Sequence, residues 1–275
     1  PYKPKRRTKA QIARQAGLAP LAEALLADPT LDPATEAARY LREPFTQDDF
    51  DNPGVPDVKA ALDGARQILM EMFAEDAELI GQLRTHVQEQ GVVVSKEAEG
   101  KEEAGAKFRD YFDYAEPLAK VPSHRALALF RGRTEGVLRV TLKLPEELPP
   151  VEVAATGKPA AIDPRTVQNS CEIKIAARHG IADRARPADA WLRETVRWTW
   201  HFKLAFQLEA EMFVALRERA EEEAIRVFGR NLHDLLLAAP AGARVTLGLD
   251  PGIRTGVKVA VVSDTGKVLE TATVY

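Results

Sequence analysis

Asp250 is the side chain best placed by its neighbours to do chemistry. It follows Val245, Leu247 and Leu249, which alternate with small residues, and precedes Pro251-Gly252 and a second β-branched run at Val257, Val259 and Val261. That pattern predicts strand, tight turn, strand, with Pro251 fixing φ and Gly252 and Gly256 letting the chain fold straight back. Asp250 then ends a buried strand, where a carboxylate can face a cleft, hold a divalent cation and serve as a candidate catalytic residue. One carboxylate is a single corner of such a site. Two-metal phosphodiester cleavage needs several, because both the attacking and the leaving oxygens must be positioned and neutralised. The plainer use of the same residue is to open an Asp-Pro-Gly turn. Arg254 and Lys258 follow closely and could touch a phosphate. Asp264, on the next turn with Gly266, falls at the opposite end of the strand pair and is no partner for Asp250.

The other candidates are cations. Lys3, Lys5, Arg6, Arg7 and Lys9 fill the first nine residues with no acid among them. Such a cluster contacts phosphates or is simply a solvated basic end. Arg125, Arg131 and Arg133, with Lys120, surround a helix that Ser123 is expected to cap after Val121-Pro122. Arg131-Gly132-Arg133 would put two guanidinium groups on a flexible backbone, suited to forks on phosphate or carboxylate. The competing reading is a charged helix end, where cations favour the C-terminal dipole. The remaining chemistry is thin. His86, His124, His179, His201 and His233 are scattered without metal-ligand spacing. There is no phosphate-binding P-loop and no GxSxG nucleophile. Cys171, the lone cysteine, sits in a helical segment and reads as a core thiol.

The elements that must position these groups are mostly helical. The chain has 275 residues, 45% of them apolar and 29% charged, with a net charge of -3. This is a globular composition with ample core, so a nucleic-acid surface must be a local patch. A single cysteine forms no intrachain disulfide and points to no oxidising compartment. No apolar run approaches the ~20 residues of a membrane span, no signal peptide is recognisable, and both ends read as cut.

Thr8 predicts a helix through Ala16, and Pro20 and Pro33 predict helices near 20–27 and 33–42. Gln47 to Pro56 reads as a loop. Val58, Ala61, Leu62, Ala65, Ile68, Leu69 and Met72 keep helical spacing, with Lys59, Asp63 and Arg66 on the outer face and Met70 and Met72 filling core. A second helix carries Ile80, Leu83 and Val87 and stops at Gly91. A short strand at Val92 to Val94 is followed by a charged and aromatic segment from Lys101 to Phe112. Leu138, Val140, Leu142 and Leu144 alternate with Arg139, Thr141 and Lys143, which is a half-buried strand with a basic outer face. About 145–164 is an irregular connection.

The last third is one long helical pattern. Residues 188–239 contain no proline and one glycine, Gly229. Leu192, Val196, Trp200, Leu204, Leu208, Met212 and Leu216 form a stripe, which Trp191, Trp198, Phe202, Phe206 and Phe213 widen. A helix over 188–228 would span roughly 60 Å, a beam on which flanking bundles rest, and Gly229 with Asn231 is expected to bend the chain beyond it. The fold class is mainly α: a multi-helix scaffold over 1–243 with a long central helix and a small β element, and a separate β segment over 244–275.

Three passages together resemble one family: LGLDPGIRTGVKVAVVSDTGKV from Leu247, PYKPKRRTKAQIARQAGL at the start, and GKEEAGAKFRDYFDY with VPSHRALALFRGR in the middle. They are similar to the Tex family of bacterial transcription accessory proteins, and the resemblance covers nearly the whole chain. It implies that 1–243 is the helical Tex-like scaffold and that 244–275 opens a YqgF-type, RNase H-like α/β domain, here truncated. It implies a cytoplasmic, nucleic-acid-binding scaffold associated with the transcription machinery and related to eukaryotic elongation factors, binding RNA or DNA without sequence preference. In the family, the main contacts to nucleic acid belong to a C-terminal OB-fold domain and helix-hairpin-helix elements, outside this chain. Lys5, Arg6, Arg7, Arg125, Arg131, Arg133, Arg254 and Lys258 are the nucleic-acid candidates here. No cofactor is expected in this chain; Mg2+ would enter if the complete RNase H-like domain were active, with its further carboxylates beyond Tyr275. Two other functions compete, a metal-dependent resolvase-type nuclease (more remotely an actin-like phosphotransferase using Asp250 and Gly252) and a protein-docking scaffold without nucleic-acid contact.

Overall fold

Thr8 opens the fold with a reciprocal cap. Its hydroxyl accepts from the Gln11 backbone N–H at 3.1 Å, and the Gln11 side chain accepts from the Thr8 N–H at 3.0 Å. The helix so started is α1 (Lys9–Gln15), and α2 (Ala19–Ala27) and α3 (Pro33–Ala37) follow with Pro20 and Pro33 in their first turns, where the missing N–H has no partner to lose. The computed structural model describes residues 7–47, 50–101, 105–148, 168–239, 242–252 and 254–275. It contains two compact units, Pro1–Glu223 and Ala224–Tyr275.

The expected loop after Gln47 is in part a hairpin, β1 (Phe45–Gln47) against β2 (Phe50–Asn52). Strands this short carry no period to detect. A tertiary bond anchors them: the buried Asn52 amide donates to the Ile12 carbonyl at 3.0 Å.

Asp57 and Asp76 cap α4 (Val58–Glu75) and α5 (Ala77–Gln90), each carboxylate accepting from the N–H three residues on. Ala61, Ala65, Ile68 and Leu69 are buried as the period of α4 requires, but two neighbours reverse their expected roles. Met72 is partly exposed while Met70 takes the core position, and Arg66, expected outside, is buried. Arg66 pairs with Glu194 and Asp63, and its guanidinium carbon lies 4.4 Å from the Trp198 ring centroid. Ion pairing and the ring face make that burial tolerable.

The middle of the first unit is a three-stranded antiparallel sheet of β3 (Val92–Glu97), β4 (Asp113–Pro117) and β5 (Leu138–Lys143), in the order β4-β3-β5. β4 gave no sequence signal, since none of Asp113–Pro117 is fully buried. Leu138 and Val140 of β5 face inward as predicted. Between β4 and β5 runs α6 (Ser123–Thr134), whose N-cap is Pro122, so Ser123 is the first helical residue and not the cap. Gly132 is helical and buried, not flexible. A Cβ added there would stand 2.5 Å from Leu138 Cδ1, so only glycine lets α6 lie this close to β5. The connection expected at 145–164 begins with a 3-10 turn at Pro145–Glu147; its remainder from 149 lies outside the described residues.

The beam is built as α7 (Ser170–Arg178) feeding α8 (Asp189–Thr199), a π turn at Trp200–Leu204, and α9 (Ala205–Leu236). All seven residues of the predicted stripe, from Leu192 to Leu216, are buried. Their spacing of four drifts about 40° per step on a helix of 3.6 residues per turn. The wider π turn absorbs an extra residue and returns part of that drift. Thr195 and Thr199, both buried, donate back to the Trp191 and Thr195 carbonyls just before it, a contact that loosens regular α-helix. Phe202 and Phe206 do not widen the stripe, being 70% and 76% exposed. They sit two residues from stripe positions, about 200° around the helix. Nor does the chain bend at Gly229 and Asn231, which α9 passes through.

The second unit holds a three-stranded antiparallel sheet, β6 (Thr246–Gly252), β7 (Gly256–Val262) and β8 (Val268–Val274), in sequence order. Every buried apolar side chain among the described residues, from Ala10 to Ala220, belongs to the first unit.

Candidate functional site

Asp250 sits differently from its expected place. The ladder continues through Asp-Pro-Gly, pairing Asp250 with Lys258, Pro251 with Val257 and Gly252 with Gly256. Proline is tolerated because β6 is an edge strand. The reversal comes after Gly252, where glycine is required: a Cβ would come within 2.3 Å of Thr255 Oγ1 and 2.9 Å of the Gly256 carbonyl oxygen. The strand is exposed, not buried, through Asp250. Asp250, Lys258 and Thr273 stand in register across the sheet and share one face, and Arg254 is exposed in the turn. A lone carboxylate opposite a lysine does not make a divalent-cation site. Among the described residues, no group of three or more His, Cys, Asp or Glu could hold a metal.

The cationic candidates separate on inspection. Lys5 and Arg6 lie outside the described residues. Arg7 is half-buried, with its guanidinium carbon 4.5 Å from the Phe50 ring centroid, so it is engaged by the β1–β2 hairpin. Arg125 donates to Glu116 at 3.2 Å, and the Tyr114 hydroxyl also bonds Glu116. Burial, followed by this carboxylate, pushes the Tyr114 phenol up. Arg131 donates to Glu135 at 2.9 Å, and Lys107 Nζ reaches the other oxygen of Glu135 at 2.7 Å. Lys107 first and Arg131 second hold the Glu135 carboxyl below its ordinary value. Arg133 differs: among the described residues no carboxylate pairs with it, and its guanidinium carbon lies 5.3 Å from the Phe213 ring centroid on α9. The structure therefore does not gather Arg125, Arg131 and Arg133 into one free patch. It joins Arg133 to Arg217, which the sequence reading missed. The available signal was Arg217 four residues after Phe213, and Arg133 three after Phe130.

Other clusters resolve as architecture. His86 Nε2 is 2.7 Å from Ser170 Oγ, but the nearby Glu146 accepts from the Ser170 backbone N–H at 2.6 Å. In a catalytic triad the acid would orient the histidine. Burial lowers the His86 pKa, with Lys174 adding to it. His201 Nε2 stands 3.1 Å from the buried Glu172, at an angle that makes no hydrogen bond. Burial raises the Cys171 thiol, the opposite of what a nucleophile needs. A cavity of about 340 Å³ near the end of β5 is lined by Leu142, Leu144, Trp200, Phe206 and Glu209, and Glu209 is already occupied in accepting from the Leu142 N–H at 2.7 Å.

The comparisons with known proteins fall on this same architecture. A family model described as Tex central region-like matches residues 28–228, which include α4 to α8, the π turn and most of α9. The chain belongs to the Tex family. A second model, the Tex protein YqgF-like domain, matches residues 244–275, the three-stranded sheet with Asp250. All of the chain aligns with Protein tex of Bordetella pertussis at 53% identity, covering 32% of that protein. It aligns in full with the Transcriptional accessory protein Tex of Neisseria gonorrhoeae at 51% identity, covering 33% of it. The S1 RNA-binding domain-containing protein 1 of Homo sapiens is 29% identical over the whole chain, which covers 26% of its length. The chain thus spans about a third of the length of the curated relatives it matches first. Among the described residues, no helix of this Tex segment is long and apolar enough to cross a membrane.

Proposed function

We propose that this chain is the central scaffold of a cytoplasmic Tex-type transcription accessory protein that associates with RNA or DNA without sequence preference. The observation that carries the reading is the Tex central region match over 28–228, most of the chain and the part that contains the core. Two relatives bear names that state transcription accessory and RNA-binding roles for themselves. The physics of the beam supports a scaffold: a continuous buried stripe on α8 and α9 gives flanking helices one rigid surface, which suits a part that holds other parts in place. Contacts to nucleic acid in this chain would rest on phosphates, through Arg133 above all, with Arg125 and Arg131 reaching them only by giving up Glu116 and Glu135. Binding would accordingly be weak and steeply salt-dependent. Asp250 alone would be at most one corner of a divalent-cation site; a Mg2+-dependent reaction would need carboxylates outside this chain. The deciding test is in the full-length parent protein. Crosslinking in cells should recover both RNA and components of the transcription machinery with it, and recovery of neither would defeat the reading.

A further inference from the structure

Between α6 and α9 the two helices exchange a crossed pair of cation–ring contacts. Arg133 of α6 places its guanidinium carbon 5.3 Å from the centroid of Phe213 on α9, and Arg217 of α9 places its own 5.6 Å from the centroid of Phe130 on α6. The two rings meet edge to face, 5.8 Å between centroids, and both phenylalanines are buried. The rings are therefore a floor, not a stacking surface for a base. Above them is a cleft of about 420 Å³ lined by the four residues together with Thr134 and Val214. Thr134 donates its hydroxyl to the Phe130 carbonyl at 2.9 Å, which leaves the two guanidinium groups as the donors facing the cleft. Arg217 also meets Glu221 at 3.2 Å, with both side chains 54% exposed. A pair so exposed is weak and easily exchanged.

We propose that this cleft binds one phosphodiester group of an unpaired RNA or DNA strand between Arg133 and Arg217. The proposal rests on the nucleic-acid reading above and names a site for it. Each guanidinium group is a planar fork already restrained by its neighbouring ring, so it loses less freedom on binding than a lysine ammonium would. Two forks from opposite helices match the two non-bridging oxygens of a phosphodiester, whereas a carboxylate is satisfied in plane by one fork alone. Val214, 56% exposed at the rim, offers an apolar wall for the adjoining sugar. A single strand can turn its backbone into such a recess; a stiff duplex cannot.

The probe is fluorescein-labelled octauridine, followed by anisotropy against salt concentration with the whole chain and its Arg217→Gln, Arg217→Lys and Arg133→Gln/Arg217→Gln variants. Arg217→Gln should weaken binding about tenfold at low salt and flatten the log–log salt slope by about 0.7, the value of one phosphate contact on a single strand. Arg217→Lys should keep most of the slope and lose part of the affinity, because it retains the charge without the fork. Thermal melting like that of the unaltered chain would show that these changes act on binding and not on folding. Unchanged affinity and slope in Arg217→Gln, with the unaltered chain still binding, would overturn the cleft and leave the nucleic-acid reading standing. No binding by the unaltered chain would overturn both. Displacement of octauridine by octaglutamate as readily as by unlabelled octauridine would show that the cleft takes an acidic peptide instead.

Discussion

The long helix carries the same kind of pattern twice with opposite outcomes. Leu192, Val196, Trp200, Leu204, Leu208, Met212 and Leu216 are all buried, and Ala220 is the last buried residue of α9. Ile225, Phe228, Leu232 and Leu235 continue at helical spacing and are 71%, 66%, 41% and 72% exposed. The sheet β6–β7–β8 resembles the second stretch: β6 pairs with β7 along its whole length, yet Leu247 and Leu249 are exposed. Each of these regions has regular secondary structure and apolar side chains at its own period. They differ in the burial of those side chains, and the stability of each region follows that.

The sharpest way to break this comparison is truncation. Leu208→Ala should cost about 2–5 kcal/mol, the range for removing a fully buried leucine. Leu235→Ala should stay within about 0.5 kcal/mol. Urea unfolding measures both, and equal losses would show that the distal stripe is as well covered as the proximal one.

Glycine gives the same contrast with opposite signs. Gly132→Ala pushes a methyl group into Leu138 and should destabilise by about 1–3 kcal/mol. Gly229→Ala, within α9 and with nothing within 4 Å of the added Cβ, should stabilise its helix by about 0.4–1 kcal/mol. Denaturation of the two single variants in parallel separates these outcomes; a shift of the same sign would refute the packing argument.

Acid should act on the first unit through Asp189. Its carboxyl is held down to about 2 from an ordinary 3.8, first by the Arg186 side chain and further by backbone N–H groups of Arg186 and Arg184. A depressed carboxyl contributes stability that is present above the unfolded value and lost as pH falls toward the folded one. Melting temperature should therefore drop between about pH 4 and pH 2, more steeply than in Asp189→Asn. Identical profiles would remove Asp189 as a cause.

The smallest expected effect is at Asp250. This chain should cleave neither RNA nor DNA with added Mg2+ or Mn2+, and Asp250→Asn should change nothing in it, because one carboxylate cannot position both oxygens of an in-line displacement. Metal-dependent cleavage by the purified chain, lost on Asp250→Asn, would reverse this. In the full-length parent, the same substitution should leave the accessory role intact.

Much of the molecule was legible from residue order because it depends on neighbours in the chain. Thr8 caps the helix it precedes, and the strand expected from Leu138 and the run expected from Val257 both form, since caps and strand propensity are local backbone chemistry. The stripe from Leu192 to Leu216 follows from spacing alone. Tertiary structure decided the rest. The ladder, not the Asp-Pro-Gly signal, set the end of β6, because pairing to β7 keeps Pro251 and Gly252 in the strand. Arg66 is buried because Glu194 and Trp198 approach it from 128 and 132 positions away in the chain. Arg133 and Arg217, 84 positions apart, form one cleft only because Phe130 and Phe213 bring their helices together. Burial and pairing are properties of surfaces that meet, and which surfaces meet is not written in the spacing of either one.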